Sequence, residues 1–315
     1  MATTIVDPER SGGVVYRFLR SIPSWVLWIL VILWLTPTLG LLVNSFRGRD
    51  AQEASGWWNV LFGQWDGFTL DVYRDVLESG SGANIRTGLA NSVAIALPAT
   101  IIPIGIAAFA AYAFAWIDFR GRQGIFIGTV SLLAIPLQVS LVPLLQMYNR
   151  GARFTIPWLD KTITVFPDLG LQGSTNAVWL SHTAFGMPFA IFLLHNYISS
   201  LPRDLFEAAR IDGADHFKIF WRLVLPLSVP VLAAFAIFQF LWTWNDYLVA
   251  SVMIRPNEAA YPTTIVIASQ ASAGQGASEY LLTAGAFLQA AVPLAVFFLL
   301  QRFFVRGLLA GSVKG

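Results

Sequence analysis

Long apolar runs alternate with short charged segments along the chain, and this alternation predicts helices that cross a membrane. A helix needs about 20 mainly apolar residues to span the hydrocarbon core. Six gaps between charged residues meet this requirement, and they predict spans at about 22–45, 88–116, 123–148, 174–199, 224–253 and 281–304. A seventh uncharged stretch, 259–278, lacks an apolar run in its second half and is not counted. The predicted fold is all-α, a polytopic membrane protein with six transmembrane helices.

Composition and charge support the membrane assignment and give an orientation. Only 12% of the residues are charged and the mean hydropathy is +0.62, whereas soluble domains carry about 25% charged residues. A cytoplasmic N-terminal segment, 1–21, puts 12 of the 20 basic but only 7 of the 18 acidic residues on the inner side. Because basic residues concentrate in cytoplasmic loops, both termini are predicted to be cytoplasmic.

The sequence contains no pattern typical of an enzyme or a metal protein. It has no cysteine, which excludes disulfides and thiolate ligands, and no glycine-rich phosphate-binding loop that ends in lysine. The three histidines, His182, His195 and His216, are interpreted as packing or interfacial residues. The chain is therefore predicted to have no catalytic residues, no metal site and no cofactor of its own.

The segment 200–226, here called the elbow, is longer than a connection between two spans requires. Its pattern predicts two short amphipathic helices that meet at Gly213, with Pro202 at the start of the first and Asp215 capping the second. Pro226 is predicted to mark the entry to the fifth span. A compact apolar and acidic surface of this kind fits a groove on another protein, although an amphipathic helix lying on lipid headgroups has a similar pattern.

The elbow resembles the EAA motif of permease subunits of binding-protein-dependent ABC importers. The matching residues are Glu207-Ala208-Ala209, Gly213 and Leu223-Val224-Leu225-Pro226, with leucine at 223 where isoleucine is usual. Asn91-Ser92, 118–122, Trp244-Asn245-Asp246 and the ending 301–315 also look like sugar-importer permeases of the maltose type. The resemblance implies the type I importer permease (MetI/MalG-like) fold in a bacterial or archaeal cytoplasmic membrane.

The resemblance also implies partners. These are a second permease subunit (MalF-like), two cytoplasmic ATPase subunits that bind ATP and Mg, and an extracytoplasmic sugar-binding protein. The residues it assigns to ATPase coupling are Glu207, Ala208, Ala209, Asp212, Gly213, Ala214, Leu225 and Pro226. In maltose-type systems the C-terminal tail, here Gly311, Ser312, Val313, Lys314 and Gly315, reaches toward the ATPase; a frayed terminus is the alternative.

Polar and aromatic residues inside the spans are candidates for the solute path, since polar side chains in membranes tend to face the bundle interior. They are Gln138, Gln239, Trp242, Trp244, Asn245 and Asp246. An aromatic belt at the outer interface would have the same pattern around Asp246. An ionised Asp246 is expected to face water or a basic partner. The outer loops, with Trp57, Trp58, Trp65 and Trp158, are candidates for receiving the binding protein.

The function predicted is the permease subunit of an ATP-driven importer for a sugar, an α-glucoside or related oligosaccharide. The same machine carrying a polyol or glycerol phosphate is an alternative, although the spans hold no basic residue for a phosphate. An ion-coupled secondary transporter is a more distant alternative, because it needs repeats or ionisable coupling sites that the sequence lacks.

Overall fold

The structure is a computed structural model that describes residues 23–78, 84–156, 158, 160–272 and 279–312. The predicted N-terminal segment 1–21 lies outside these ranges. The α-helices are α1 (Ser24–Ser45), α2 (Arg49–Ala54), α3 (Asp71–Glu78), α4 (Ile85–Trp116), α5 (Arg122–Ser131), α6 (Leu137–Arg150), α7 (Thr175–Ser199), α8 (Arg203–Ile211), α9 (His216–Ile219), α10 (Leu225–Trp244), α11 (Leu248–Ile254), α12 (Thr263–Ser272) and α13 (Glu279–Ser312). Short 3-10 helices lie at Trp57–Phe62, Leu132–Ala134 and Glu258–Ala260.

One antiparallel hairpin, β1 (Ala152–Ile156) and β2 (Lys161–Phe166), lies in the connection before α7. The sequence analysis did not predict it. Its strands are short and contain threonine and β-branched residues, which suit a pleated surface. The pattern was hidden because nearly all residues of both strands are exposed, so neither strand has a buried apolar face that would produce an alternation.

Helices α4, α7 and α10 form the packed centre of the molecule. Helix α4 begins at Ile85, three residues before the predicted start, because the Asn84 side chain accepts the Thr87 N–H at 2.8 Å. Fully buried alanines such as Ala107 and Ala190 line the contact between α4 and α7, and small side chains let two helices approach closely in a membrane.

The predicted third span, 123–148, is not one straight helix. The segment 122–134 and α6 meet at an angle of 105°. Pro136 explains the break, because proline disfavours a helical conformation at the residue before it, and Ile135 is extended with φ −81° and ψ 118°.

The bent pair nevertheless connects the two ends of the bundle. Phe126 contacts Phe114 and His195, close to the elbow. Tyr148 packs with Ile95 and other residues at the opposite end. Together with α1, α4, α7, α10 and α13, the pair therefore gives six candidate crossings among the described residues.

The predicted fifth span, 224–253, also differs from the structure. Its helix starts at His216 and continues through a π-helical turn, Phe220–Val224, into α10, so Pro226 lies inside the helix rather than at its entry. The helix then ends at Trp244, and α11 begins only at Leu248. Proline is tolerated near the N-terminus of an α-helix, as in α10. The helical backbone nevertheless begins before Pro226, because the π-helical turn joins α9 to α10 without a break.

Helix α12 covers ten of the residues of the stretch 259–278, of which 273–278 lie outside the described ranges. Helix α13 runs past the predicted boundary at 304 to Ser312. Val313, Lys314 and Gly315 of the predicted tail lie outside the described residues, and of Gly311 and Ser312 only the helical backbone is described.

Candidate functional site

The first half of the elbow is the helix α8, which ends at Gly213 in a left-handed turn. Gly213 has φ +76°, a conformation that favours glycine. The Gly213 N–H donates to the Arg210 carbonyl at 3.0 Å, and the Ala214 N–H donates to the Ala209 carbonyl at 2.9 Å. These two bonds form a Schellman motif, so the break predicted at Gly213 has a defined geometry.

The second half of the elbow is continuous with the membrane helix. The Asp215 side chain accepts the Lys218 N–H at 2.8 Å and caps α9, as predicted. From His216 the helix continues without interruption to Trp244. The second half of the elbow and the fifth crossing are therefore parts of one helix.

One face of the elbow is packed against the ends of α4 and α7. The Phe206 ring, 2% exposed, stacks on Trp116 with centroids 3.6 Å apart and planes 15° from parallel. The Trp116 indole N–H in turn donates to the Ile198 carbonyl at 3.1 Å. Ile219 and Phe220 are also buried in this cluster. The elbow thus packs against the helix bundle.

A hydrogen bond fixes the start of α9. The Tyr112 hydroxyl lies 2.8 Å from Nδ1 of His216. This contact fits the interpretation of His216 as a packing or interfacial residue, because its ring lies against α4. Sequence reasoning missed Tyr112 and Trp116 as the residues against which the elbow packs. Both lie about 100 residues earlier, in an apolar run without any local signal.

The opposite face of the elbow is free in the described part of the chain. Glu207, Ala208 and Asp212 are exposed, and no salt bridge to Glu207 exists among the described residues. Ile211, 86% exposed, adds a large apolar side chain to this surface. Beside it lies a concavity of about 310 Å³ whose lining includes Asp212 and Gly213.

The remaining predicted coupling residues divide between the two faces. Ala209, Ala214 and Leu225 pack against the buried cluster, whereas Pro226 is exposed. Of the two adjacent alanines, only Ala208 is thus open to a partner. Leu205, beside the buried Phe206 in the sequence, is 41% exposed.

The candidate solute-path residues do not form one continuous surface. Gln239 is fully buried, and its amide donates to the carbonyls of Ala99 at 3.1 Å and His182 at 3.2 Å. Trp244 is 2% exposed, and its indole N–H donates to the Gln289 carbonyl at 2.9 Å. Both side chains hold helices together and are closed to a solute in this conformation.

Asp246 has two structural roles. Its carboxylate accepts the N–H groups of Val249 at 3.2 Å and Ala250 at 2.9 Å, which caps α11. Its Oδ2 also lies 3.3 Å from Nε2 of the buried His182. The nearest side chain of a basic type is thus a histidine, and an Asp before a short apolar run was a capping signal that sequence reasoning missed.

Trp242 and Asn245 face open space. With Tyr247 and Leu248 they line a concavity of about 620 Å³ at the break between α10 and α11. The Trp242 ring meets the His182 ring edge-on, with centroids 5.2 Å apart. Gln138 is exposed at the start of α6 and does not line this concavity.

Asn91 and Ser92 hold the segment before α12 in place. The Asn91 amide donates to the carbonyls of Ala259 and Tyr261, and the Ser92 hydroxyl accepts the Thr263 N–H at 2.9 Å. From the sequence these two residues contribute only to the resemblance to sugar-importer permeases, which gives no indication of this contact. In the described ranges, no three histidine or acidic side chains lie close enough to hold a metal ion.

Comparison with protein families and curated proteins gives consistent matches. Residues 101–310 match the model of the family described as "Binding-protein-dependent transport system inner membrane component". The chain is 48% identical to the "Osmoprotective compounds uptake permease protein GgtD" of Synechocystis sp. over 287 residues, 90% of this chain and 89% of the relative. It is 38% identical to the "Alpha-glucoside transport system permease protein AglG" of Rhizobium meliloti, with 91% and 95% covered.

Comparison with solved structures gives a match in fold. A chain from the crystal structure of a bacterial ABC transporter involved in the import of the acidic polysaccharide alginate superposes with a TM-score of 0.69. The match covers 91% of this chain and 97% of that chain at 20% sequence identity. At this identity the likeness concerns the arrangement of helices.

Proposed function

The chain belongs to the family of binding-protein-dependent transport system inner membrane components, and on this premise we propose that its elbow is the coupling element of an ATP-driven importer. The observation that carries the proposal is the two-sided elbow. One face is locked to the bundle through Phe206 and Trp116, and the other presents Glu207 and Ala208 to the outside. A partner that moves the exposed face also moves α10, because the helix is continuous from His216.

Family membership confirms several predictions. The chain is a multi-pass inner-membrane permease subunit with the type I importer fold, and it is not itself an enzyme. It functions in an ABC importer that depends on a substrate-binding protein and an ATPase.

The finer assembly belongs to the proposal. Two ATPase subunits, each binding ATP and Mg, dock against the elbows of this chain and of a second permease subunit. Glu207 then pairs with a basic group on the ATPase, and Ala208 permits its close approach. The elbow and both chain termini face the cytoplasm, an orientation supported by the excess of basic residues at the elbow end. The proposed domain division is a transmembrane permease domain, 22–315, that contains the coupling loop 200–226.

We assign an α-glucoside or a related oligosaccharide as the solute. The relative named for α-glucoside transport supports this assignment, as does the aromatic and amide surface formed by Trp242 and Asn245. Sugar rings stack on aromatic faces, and an amide can hydrogen-bond their hydroxyls. Asp246 also lines this surface, whereas Gln239 and Trp244 act indirectly by fixing the helices behind it.

A second candidate solute has a specific observation in its favour. The relative that is 48% identical is named for osmoprotective compounds. A small osmoprotective compound would pass through the same break between α10 and α11, with fewer ring contacts to Trp242.

The test is transport by the complete complex. The chain, co-expressed with its neighbouring genes, is purified, checked for a copurifying ATPase and reconstituted into vesicles with the binding protein. We expect ATP-dependent uptake of a labelled α-glucoside disaccharide that excess glycerol phosphate does not inhibit. Uptake of an osmoprotective compound in its place would favour the second candidate. Purification without any ATPase, or uptake that continues without ATP, would overturn the coupling proposal.

A further inference from the structure

The 3-10 helix Trp57–Phe62 carries an apolar surface that no described residue covers. Its exposed members, with the following tryptophan, are Trp58 (55% exposed), Leu61 (74%), Phe62 (82%) and Trp65 (64%). We call these four residues the apolar patch. Isolated exposed apolar residues are common on proteins, but four large ones within eight positions form a surface that needs an explanation.

The depth of the patch relative to the membrane follows from its contact with α1. The Trp57 ring lies so close to Gly40 that a Cβ atom built there would be 2.6 Å from it. Gly40 is five residues before the end of α1 at Ser45, so at 1.5 Å per residue the contact lies about 7.5 Å inside the helix end. The 3-10 helix therefore folds back alongside the first crossing.

Charge is segregated within the same outer segment. Residues 57–65 contain no charged side chain. Helix α2 directly before them carries Arg49 and Glu53, which form an exposed ion pair at 2.8 Å. One side of the segment is thus suited to water and the other to a less polar medium, as expected at a membrane–water interface.

The segment is tied firmly to the helix ends. The buried Arg47 side chain donates to the Ser55 carbonyl at 2.9 Å and to the Asn44 side chain at 3.1 Å. The Tyr73 hydroxyl donates to Ser45 at 2.7 Å. Helix α3 packs on α13 and α4. A force on the patch is therefore transmitted to the ends of three crossings.

From these observations we infer that the apolar patch is an interfacial anchor, inserted into the boundary between lipid headgroups and acyl chains. It lies in the leaflet opposite the elbow, because α3 bonds to Ser45 and packs on Ile85, and Ile85 is at the other end of α4 from Trp116. Tryptophan and phenylalanine are the side chains expected at this depth. The anchor fixes the outer ends of α1, α4 and α13 while the elbow end moves.

The absence of cysteine from the sequence makes a direct test simple. Phe62→Cys in the full chain is labelled with an environment-sensitive fluorophore, and the complex is reconstituted into phosphatidylcholine–phosphatidylglycerol vesicles. Glu53→Cys on α2 is the matched control. We expect lipids brominated near the headgroup to quench the label at 62 but not at 53, and aqueous iodide to quench the label at 53. The depth at 62 should be roughly 5–10 Å below the headgroup boundary.

Three outcomes would overturn the inference. Quenching of position 62 by iodide as strong as at 53 would place the patch in water. Protection of 62 from iodide only after the binding protein is added would identify a docking surface for that protein. Protection from both quenchers in the assembled complex would show that the second permease covers the patch. None of these outcomes bears on the elbow, so the coupling proposal is tested separately.

Discussion

Replacing Gly213 by valine tests whether the shape of the elbow, rather than its composition, carries the coupling. Gly213 has φ +76°, and a Cβ atom built on it meets no atom within 4 Å. The substitution therefore creates no clash inside the chain, and its cost is the left-handed backbone alone. That cost is about 1–2 kcal/mol for an L-residue, which corresponds to roughly a 5- to 30-fold change in the population of the native turn.

Gly213→Asn is the matched control, because asparagine adopts the left-handed conformation more readily than valine at similar size. We expect the valine variant to insert normally but to lose most ATPase association and ATP-dependent uptake, and the asparagine variant to retain both. Copurification of the ATPase and uptake into vesicles measure the two effects. Equal activity of both variants, or equal loss in both, would refute the reasoning from backbone conformation.

Substitutions at four further positions separate packing from solute contact. Phe206→Ala removes the ring that stacks on Trp116, so we expect a loss of about 3–5 kcal/mol locally, seen as faster hydrogen exchange in α8 and weaker ATPase binding. Asp246→Ala removes the cap of α11 and should lower stability by about 1 kcal/mol, measured as a lower thermal midpoint, whereas Asp246→Asn keeps the cap and most of the stability. Trp242→Ala should reduce uptake and leave the thermal midpoint unchanged. Trp244→Ala should lower the thermal midpoint, because its ring is buried. The reverse result would contradict the assignment of Trp242 to solute contact and of Trp244 to packing.

The local signals of the elbow were readable from the sequence. The cap at Asp215 and the turn at Gly213 depend on residues within a few positions of each other, and the structure has both. The residues against which the elbow packs could not be predicted from the sequence. Phe206 meets Trp116 across 90 positions of chain, and a uniformly apolar helix gives no indication of which ring will meet which.

The apolar runs predicted the crossings well but not their breaks. Residue hydropathy does not reveal the 105° bend at Pro136 or the interruption after Trp244, since both lie inside apolar runs. For the same reason hydropathy alone did not separate the six solute-path candidates. Burial and hydrogen bonding distinguish them, because Gln239 and Trp244 are closed within helix contacts while Trp242 lines an open concavity.

The most direct test of the coupling claim is site-specific cross-linking from the exposed face of the elbow. Ala208→Cys introduces the only thiol of the chain and carries a photoactivatable maleimide. Trp158→Cys, 83% exposed in the hairpin connection at the opposite end, is the control. In the assembled complex we predict an adduct between position 208 and the ATPase subunit, and none from position 158. A complex that hydrolyses ATP but gives no ATPase adduct from 208 would contradict the account.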